Sequence, residues 1–564
     1  MPQSVLSRER VLSLLPAPLS ETSLADLVFL SKAEIVSQEA DALTLSVTPD
    51  RLDLLSEGGL ALHLQGATDA VRGLPPLEIA APGTPAPGFV IDPSVGTLRP
   101  HLSGLLVRAP TDAGLDAGLL AEAIRFQELL HATIGRDRRA ASLGIYPFDR
   151  IVSPVRYALE PIGGVQFVPL DGEEEVDAGR FFEEHPMAAR YGSLGRLGDR
   201  CLTLRDAAGS ILSLPPLLNG RTVGEARTGD RQLLLEATGT DPRRVEEAVG
   251  LLLVVFAARG WTVTPMRTEG PDRAPEDGRR PVSPRTVLLP STLIHRVLGH
   301  PLASGEVERR LATARLAPHP HHGGWEVAIP PWRPDLATGT DLAEEVALAV
   351  PLRPEDGNVP SSRTRGSRRA EAVFRRQLAT VMLGLGFAAP HTPLLVSEAT
   401  AALPQGFAPI RLSNPVSAEF AYLRDRILLS HLDVLRHNTR HGYPQQFAEV
   451  GPVVVRDPLS EAGGATRYHL GAMVASESAG FADAAAILDY LLRSVDIASV
   501  REPLDIPGTI PGRAARVRIA GEPIAELGEL HPRILSEIGV PVPVAWAELD
   551  LTGLWPILGR RDTH

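Results

Sequence analysis

Apolar positions at three- and four-residue spacing mark the longest ordered stretches of this chain. Ile427, Leu428, Leu432 and Leu435, with His431 between them, fall on one face of a helix. The same period runs through residues 119–134 up to Gly135, and through 371–385 up to Gly386, each glycine placed as a C-cap. The spacing predicts further helices over 4–15, 20–30, 54–64, 244–259, 290–298, 304–311, 341–350 and 482–492, with Ser20 or Thr22 capping the second. Alternating apolar and polar positions predict strands over 43–47, 141–145, 325–329, 468–474, 515–519 and 544–551. Another is expected over 447–455, broken at Gly451-Pro452.

Three stretches break the pattern. Residues 74–98 are rich in proline and glycine, 267–285 in proline and charge, and 353–369 carries an arginine run from Arg363 to Arg369. Read as linkers without a core, they divide the chain into modules at 1–75, 99–266, 286–352 and 370–557. A length of 564 residues agrees, being too long for one hydrophobic core. Mixed helical and strand patterning makes the fold class α+β, multidomain.

Composition narrows the function. Hydrophobic residues make up 44% and charged residues 22%, as in ordinary globular protein. The most apolar run, residues 251–260, is too short to span a membrane, and the first ten residues lack a signal-peptide core. Cys201 is the single cysteine, which rules out an internal disulfide and a cysteine-based zinc site. A cytoplasmic location is expected. The formal net charge of −12 supplies no general field for nucleic acid, so any such contact is local or made by a partner chain.

Three groups of residues carry candidate chemistry. Asp335, Asp341, Glu344 and Glu345 gather four carboxylates within eleven positions. Asp341 and Glu344 also suit the first turn of a helix, as a capping pair favoured by the helix dipole. His319, His321 and His322 lie in a Pro/Gly-rich segment, expected to be a loop. Ser213 and Asn219 bracket Pro215-Pro216, where turn chemistry alone would place them. Arg136 and Arg138 follow Gly135. No Gly-x-x-x-x-Gly-Lys, Gly-x-Gly-x-x-Gly, His-Glu-x-x-His or Gly-x-Ser-x-Gly occurs.

Several motifs together resemble the β subunit of phenylalanyl-tRNA synthetase, in its shorter archaeal and eukaryotic form. They are Asn414-Pro415, Leu423-Arg424, Asn438, the Phe447-to-Gly451 strand, His531-Pro532 and Glu548-Leu-Asp-Leu551. The Phe447 strand carries one residue more than the usual spacing. Asp50, Arg51, Asp53, Leu54, Ser56 and Glu57 resemble the end of that family's first module, with Leu52 in place of a proline. The resemblance implies an N-terminal module, a B3/4-type editing module, a B5-type winged-helix-like module and a non-catalytic class II synthetase-like module built on an antiparallel sheet. It implies an α-subunit partner in an (αβ)2 heterotetramer, with tRNA(Phe) as substrate and no membrane.

ATP and phenylalanine would bind through the α subunit, because the Phe-Arg-x-Glu and Gly-x-Gly-x-Gly-x-x-Arg segments of class II activation are missing here. The four carboxylates would hold Mg2+, which favours oxygen ligands. Arg136, Arg138, Ser213 and Asn219 would serve hydrolysis of mischarged Tyr-tRNA(Phe), with water as nucleophile. Two other readings stay open: a diverged paralogue working as a stand-alone deacylase, and a non-enzymatic interaction scaffold.

Overall fold

The computed structural model describes residues 1–81, 86–112, 114–270, 278–349, 364–403 and 407–559. The chain divides into two compact bodies, Met1–Asn358 and Val359–His564.

The first body opens with a three-stranded antiparallel sheet of β1 (Gln3–Ser7), β2 (Ala33–Glu39) and β3 (Ala42–Val47), ordered β1-β3-β2. The helix expected over 4–15 is therefore shorter. Ser4 and Leu6 are buried while Gln3 and Val5 are exposed, so a period of two wins there. Only Arg8–Ser13 is helical, with Ser7 accepting from the Arg10 N–H. Ser20 caps the next helix by accepting from Ser23 N–H.

Helix α1 (Glu57–Ala67) starts where Ser56 Oγ accepts the Gly59 N–H at 3.0 Å. A Cβ on Gly66 would lie 2.0 Å from the Thr313 carbonyl oxygen, so only glycine permits this approach.

Residues 74–98 do more than link. Strand β4 (Gly88–Ile91) enters a sheet and buries Phe89 and Ile91. The elements that follow are β5 (His101–Arg108), α2 (Ala117–Ala132), β6 (Ala141–Pro147), β7 (Val155–Pro161), α3 (Pro186–Gly195), β8 (Arg200–Arg205), β9 (Ile211–Leu214), β10 (Leu218–Asn219), β11 (Gln232–Gly239), α4 (Pro242–Ala257), β12 (Thr262–Pro265) and β13 (Arg267–Glu269). They build two sheets. One runs β12-β5-β11-β6; the other runs β10-β9-β8-β7-β4-β13. Strand β13 likewise takes residues from the second expected linker.

Helix α4 begins at Asp241, whose side chain accepts from Arg243 N and Arg244 N. From Ala248 to Ala257 every residue is buried, so the helix is covered on all sides. Its core also holds Leu60 and Leu64 of α1 and Leu233 and Leu235 of β11. The stretches 1–75 and 99–266 thus share one core.

Residues 285–348 form a smaller layer of three strands and three helices. Strand β14 (Arg285–Pro290) is followed by α5 (Ser291–Leu298), α6 (Ser304–Thr313), β15 (Ala317–His321), β16 (Gly324–Ile329) and α7 (Gly339–Leu348). The sheet order is β14-β16-β15. His319 and His321 lie on strand β15 rather than in a loop.

The second body is built on a six-stranded antiparallel sheet. Its elements are α8 (Ala370–Gly384), α9 (Ile427–His437), β17 (Gln445–Arg456), β18 (Gly464–Ala475), α10 (Phe481–Ser494), β19 (Val500–Pro503), β20 (Thr509–Ile519), β21 (Glu522–Leu530), α11 (Pro532–Ile538) and β22 (Val544–Asp550). The order is β17-β18-β22-β21-β20-β19. Leu488, Leu491 and Leu492 of α10 pack with Leu470, Leu527 and Leu549. Leu428, Leu432 and Leu435 of α9 pack with Met473 and Trp546, so the face read from the sequence is the buried one. Strand β17 runs unbroken through Gly451-Pro452. It is an edge strand, where a missing N–H can face outward without loss. Among the described residues no helix is long and apolar enough to cross a membrane.

Candidate functional site

The first body contains a cavity of about 390 Å³ between α2, β6, β9, β10 and β11. Its walls are largely apolar, including Leu143, Ile145, Leu214 and Leu217, while Tyr146, Ser213 and Glu236 bring polar atoms. Strands β6 and β11 set their positions. Gly144 stands opposite Glu236 in the ladder. A Cβ on Gly144 would lie 2.1 Å from the Tyr146 hydroxyl, so the glycine clears the path by which the ring reaches across the sheet. The Tyr146 hydroxyl donates to Glu236 Oε2 at 3.0 Å and lies 3.0 Å from Ser213 Oγ.

Glu236 is buried, and its Oε1 has no hydrogen-bond partner. Burial pushes its carboxyl up to about 8, against the pull of Tyr146 and Arg99. The group therefore carries a proton at neutral pH and can both donate and accept.

Arg138 braces the cavity mouth. Its Nη1 donates to the Pro216 carbonyl at 2.9 Å and the Leu217 carbonyl at 3.0 Å, and its Nη2 donates to both Glu128 oxygens at 2.9 and 3.1 Å. His131 completes the group. Its Nε2 accepts the Leu143 N–H at 2.8 Å, so Nδ1 carries the hydrogen that points to Glu128, 3.2 Å away. Burial holds the His131 pKa below its ordinary value, in keeping with a neutral ring. Burial works against the Glu128 carboxylate, but His131 and Arg138 hold it at about 2.

Of the four residues singled out from the sequence here, Arg138, Ser213 and Asn219 line the cavity. Asn219 Nδ2 donates to the Ile145 and Gly224 carbonyls, tying the Pro-Pro loop to β6. Arg136 is exposed on the same turn as Arg138, outside the lining. Sequence reasoning missed Tyr146, Glu236 and Glu128. The signal was an acidic residue inside an otherwise apolar strand, LLLEATG over 233–239.

Of the four carboxylates from 335 to 345, Asp335 and Glu345 meet on Arg333, while Asp341 and Glu344 are engaged elsewhere. Asp335 accepts from Arg333 Nε and Nη2 at 2.9 and 2.8 Å, and Glu345 accepts from the same Nη2 at 2.7 Å. Asp341 closes a capping box, accepting from Thr338 N–H at 2.7 Å and Ala337 N–H at 3.0 Å. Glu344 accepts from Lys32 Nζ at 2.7 Å. Among the described residues no group of three or more His, Cys, Asp or Glu is placed to hold a metal ion. This arrangement does not fit the Mg2+ set expected from the resemblance, because a buried guanidinium already supplies the positive charge. Burial opposes the charge on Glu345, yet Arg333 and Arg51 hold its carboxyl down to about 2. In the Asp50-to-Glu57 motif Arg51 is engaged through Nε and Nη2, while its buried Nη1 has no hydrogen-bond partner. Arg51 forks onto Asp53 at 3.0 and 2.9 Å, and Glu57 accepts from Ser7 N–H.

In the second body two separate motifs meet. Arg424 is fully buried, and its Nη2 donates to Glu449 Oε1 at 2.8 Å while its Nε donates to the Pro452 carbonyl at 3.0 Å. A Cβ on Gly451 would lie 2.5 Å from Arg424 Nη2, so the glycine makes room for the pair. Asn438 Nδ2 donates to the Val434 carbonyl and closes the end of α9.

Two stretches match modules of tRNA synthetases. Residues 287–350 match the family described as the tRNA synthetase B5 domain, and 357–551 match the phenylalanyl tRNA synthetase beta chain CLM domain. The phenylalanine–tRNA ligase beta subunit of Halobacterium salinarum is 32% identical over 90% of this chain and 92% of its own length. That of Korarchaeum cryptofilum is 30% identical over 94% and 95%. A crystal structure of an N-terminal fragment of the phenylalanyl-tRNA synthetase beta subunit from Pyrococcus horikoshii is similar to 62% of this chain and 99% of that fragment, with a TM-score of 0.57 and 25% identity. The chain belongs to the phenylalanine–tRNA ligase β-subunit family.

Proposed function

We propose that this chain is the β partner in an (αβ)2 phenylalanine–tRNA ligase, and that its cavity hydrolyses tyrosine wrongly joined to tRNA(Phe). The α subunit would bind ATP and phenylalanine and form the ester, since this chain lacks the arginine motifs of activation. The observation that carries the editing half is Glu236 Oε1, a buried oxygen without a partner in a largely apolar cavity.

A para-hydroxyl entering the cavity would pair with that oxygen, whereas a phenylalanine ring would leave it unpaired. Sites built to bind a hydroxyl reject the analogue lacking it by factors on the order of 10⁴. Water is the nucleophile in this reading, with the carbonyls and amides of the 213–219 loop orienting the ester. Arg136, exposed beside the mouth, supplies a cation for the 3′ end of the tRNA.

The test is single-turnover hydrolysis of Tyr-tRNA(Phe) and Phe-tRNA(Phe) by the chain co-expressed with its α partner. Fast loss of tyrosine with phenylalanine retained, abolished by Glu236→Ala, supports the reading. Equal rates for the two esters, or none, would sink it.

A further inference from the structure

Arg136, Asp137 and Arg138 are three successive non-glycine residues in the left-handed region, with φ of 51°, 55° and 64°. L-residues enter this region singly, at a conformational cost, and stay there only where the surroundings hold them. Two holds are present. On the outside, the Tyr191 hydroxyl of α3 donates to Asp137 Oδ1 at 2.9 Å, and the Tyr191 ring lies 4.9 Å from the Arg138 guanidinium.

On the inside is Arg99, only 1% exposed. Its guanidinium makes five hydrogen bonds, all to neutral acceptors. Nη1 donates to the Arg138 carbonyl at 3.0 Å and the Arg139 carbonyl at 3.4 Å. Nη2 donates to Ser142 Oγ at 2.9 Å and the Thr238 carbonyl at 2.6 Å, and Nε donates to Thr238 Oγ1 at 3.1 Å. Burying a guanidinium among neutral oxygens is costly. What the group secures is the turn that aims Arg138 at the cavity mouth, together with Ser142 in the lining and Thr238, two residues along β11 from Glu236.

We propose that Arg99 is a positioning residue of the hydrolytic site. It acts through Arg138, whose brace on the Pro216 and Leu217 carbonyls and on Glu128 sets the mouth of the cavity. The inference rests on the editing reading of that cavity.

The test uses the full chain with its α partner, comparing wild type, Arg99→Met and Arg99→Lys. Methionine keeps the length and removes all five donors. Lysine keeps the charge and fewer donors. Two quantities are read at a temperature where each variant is folded. One is the rate of tryptic cutting after Arg136, Arg138 and Arg139, mapped by mass, because a protease needs this turn to open. The other is hydrolysis of Tyr-tRNA(Phe), resolved into kcat and KM.

Arg99→Met is expected to be cut at the turn at least about tenfold faster and to lose about 10- to 100-fold in kcat, the scale of a misplaced site, with KM nearly unchanged. Arg99→Lys falls between, and carries the test alone if the methionine variant does not fold. A lower melting temperature with unchanged cutting and unchanged kcat would mean packing only and would overturn the proposal. Faster cutting with unchanged kcat would overturn the positioning role while leaving the editing reading intact. A wild type that hydrolyses no Tyr-tRNA would instead remove the editing reading, and this role with it.

Discussion

The Tyr146 hydroxyl donates to Glu236 Oε2 at 3.0 Å across a cavity floor, joining two residues 90 positions apart in the chain. The pairing leaves one carboxyl oxygen satisfied and the other, Oε1, without a partner. Burial of this carboxyl makes Glu236 a source of pH dependence.

Glu236 titrates near 8 in the folded chain, against an ordinary value of 4.5. Between those values the folded state binds more protons than the unfolded one, so stability falls as pH rises through that window and levels off above it. The total change across the window is about 5 kcal/mol at most. Glu236→Gln should remove the fall above about pH 7, measured as urea stability at closely spaced pH values from 5 to 9; below that, Glu122, which burial raises to about 7, contributes a parallel fall. A fall above pH 7 that persists in the variant would place that titration elsewhere.

Gly144→Ala would put a methyl group where the Tyr146 hydroxyl lies, 2.1 Å away. The ring must move, at a cost of about 1–3 kcal/mol typical of overpacking. Against a Tyr146→Ala background, which removes the hydroxyl and also the ring carbons Cζ and Cε2 that would lie 2.4 and 2.5 Å away, Gly144→Ala should cost less, read from the melting temperatures. An equal cost in that background would mean that the backbone, not the tyrosine, absorbs the added carbon.

Arg424 and Glu449 form a fully buried pair in the second body. Arg424→Met alone leaves a buried carboxylate uncompensated and should cost about 3–5 kcal/mol. Adding Glu449→Gln should cost much less than the sum of the two single changes. A double-mutant cycle in urea measures the coupling; additive losses would show that the two side chains act independently.

Arg333 holds Asp335 and Glu345 where a metal ion was expected. Removing divalent ions with EDTA should leave the melting temperature of the isolated chain unchanged. Arg333→Met should lower stability by about 3–5 kcal/mol, as for other broken buried pairs. A large EDTA-induced drop in the wild type would show that a bound cation, rather than Arg333, neutralises the two acids.

Much of the architecture was legible in the chain. The periodicity of α9 named its buried face, Ser20 marked the cap of the second helix, and the Asn-Pro, Phe-to-Gly and His-Pro motifs carried the family. Caps, helix faces and turns depend on neighbours within a few residues, so local sequence is enough to place them. It failed where two local patterns competed, as in residues 3–13, and where a proline-rich segment found a sheet to join, as at Phe89.

The site was less legible for a different reason. The sequence alone determined that acids stand at 335, 341, 344 and 345, and that Arg138, Ser213 and Asn219 are of a type to serve a polar site. Only the tertiary structure decided which charges meet. Arg333 stands between Asp335 and Glu345, Lys32 reaches Glu344 from more than 300 residues away, and Gly144 clears the line from Tyr146 to Glu236. Whether an acid binds a metal, caps a helix, pairs with an arginine or stays protonated depends on the charges and on the burial around it. Both are settled by segments far apart in the chain, and they exist only once those segments have packed.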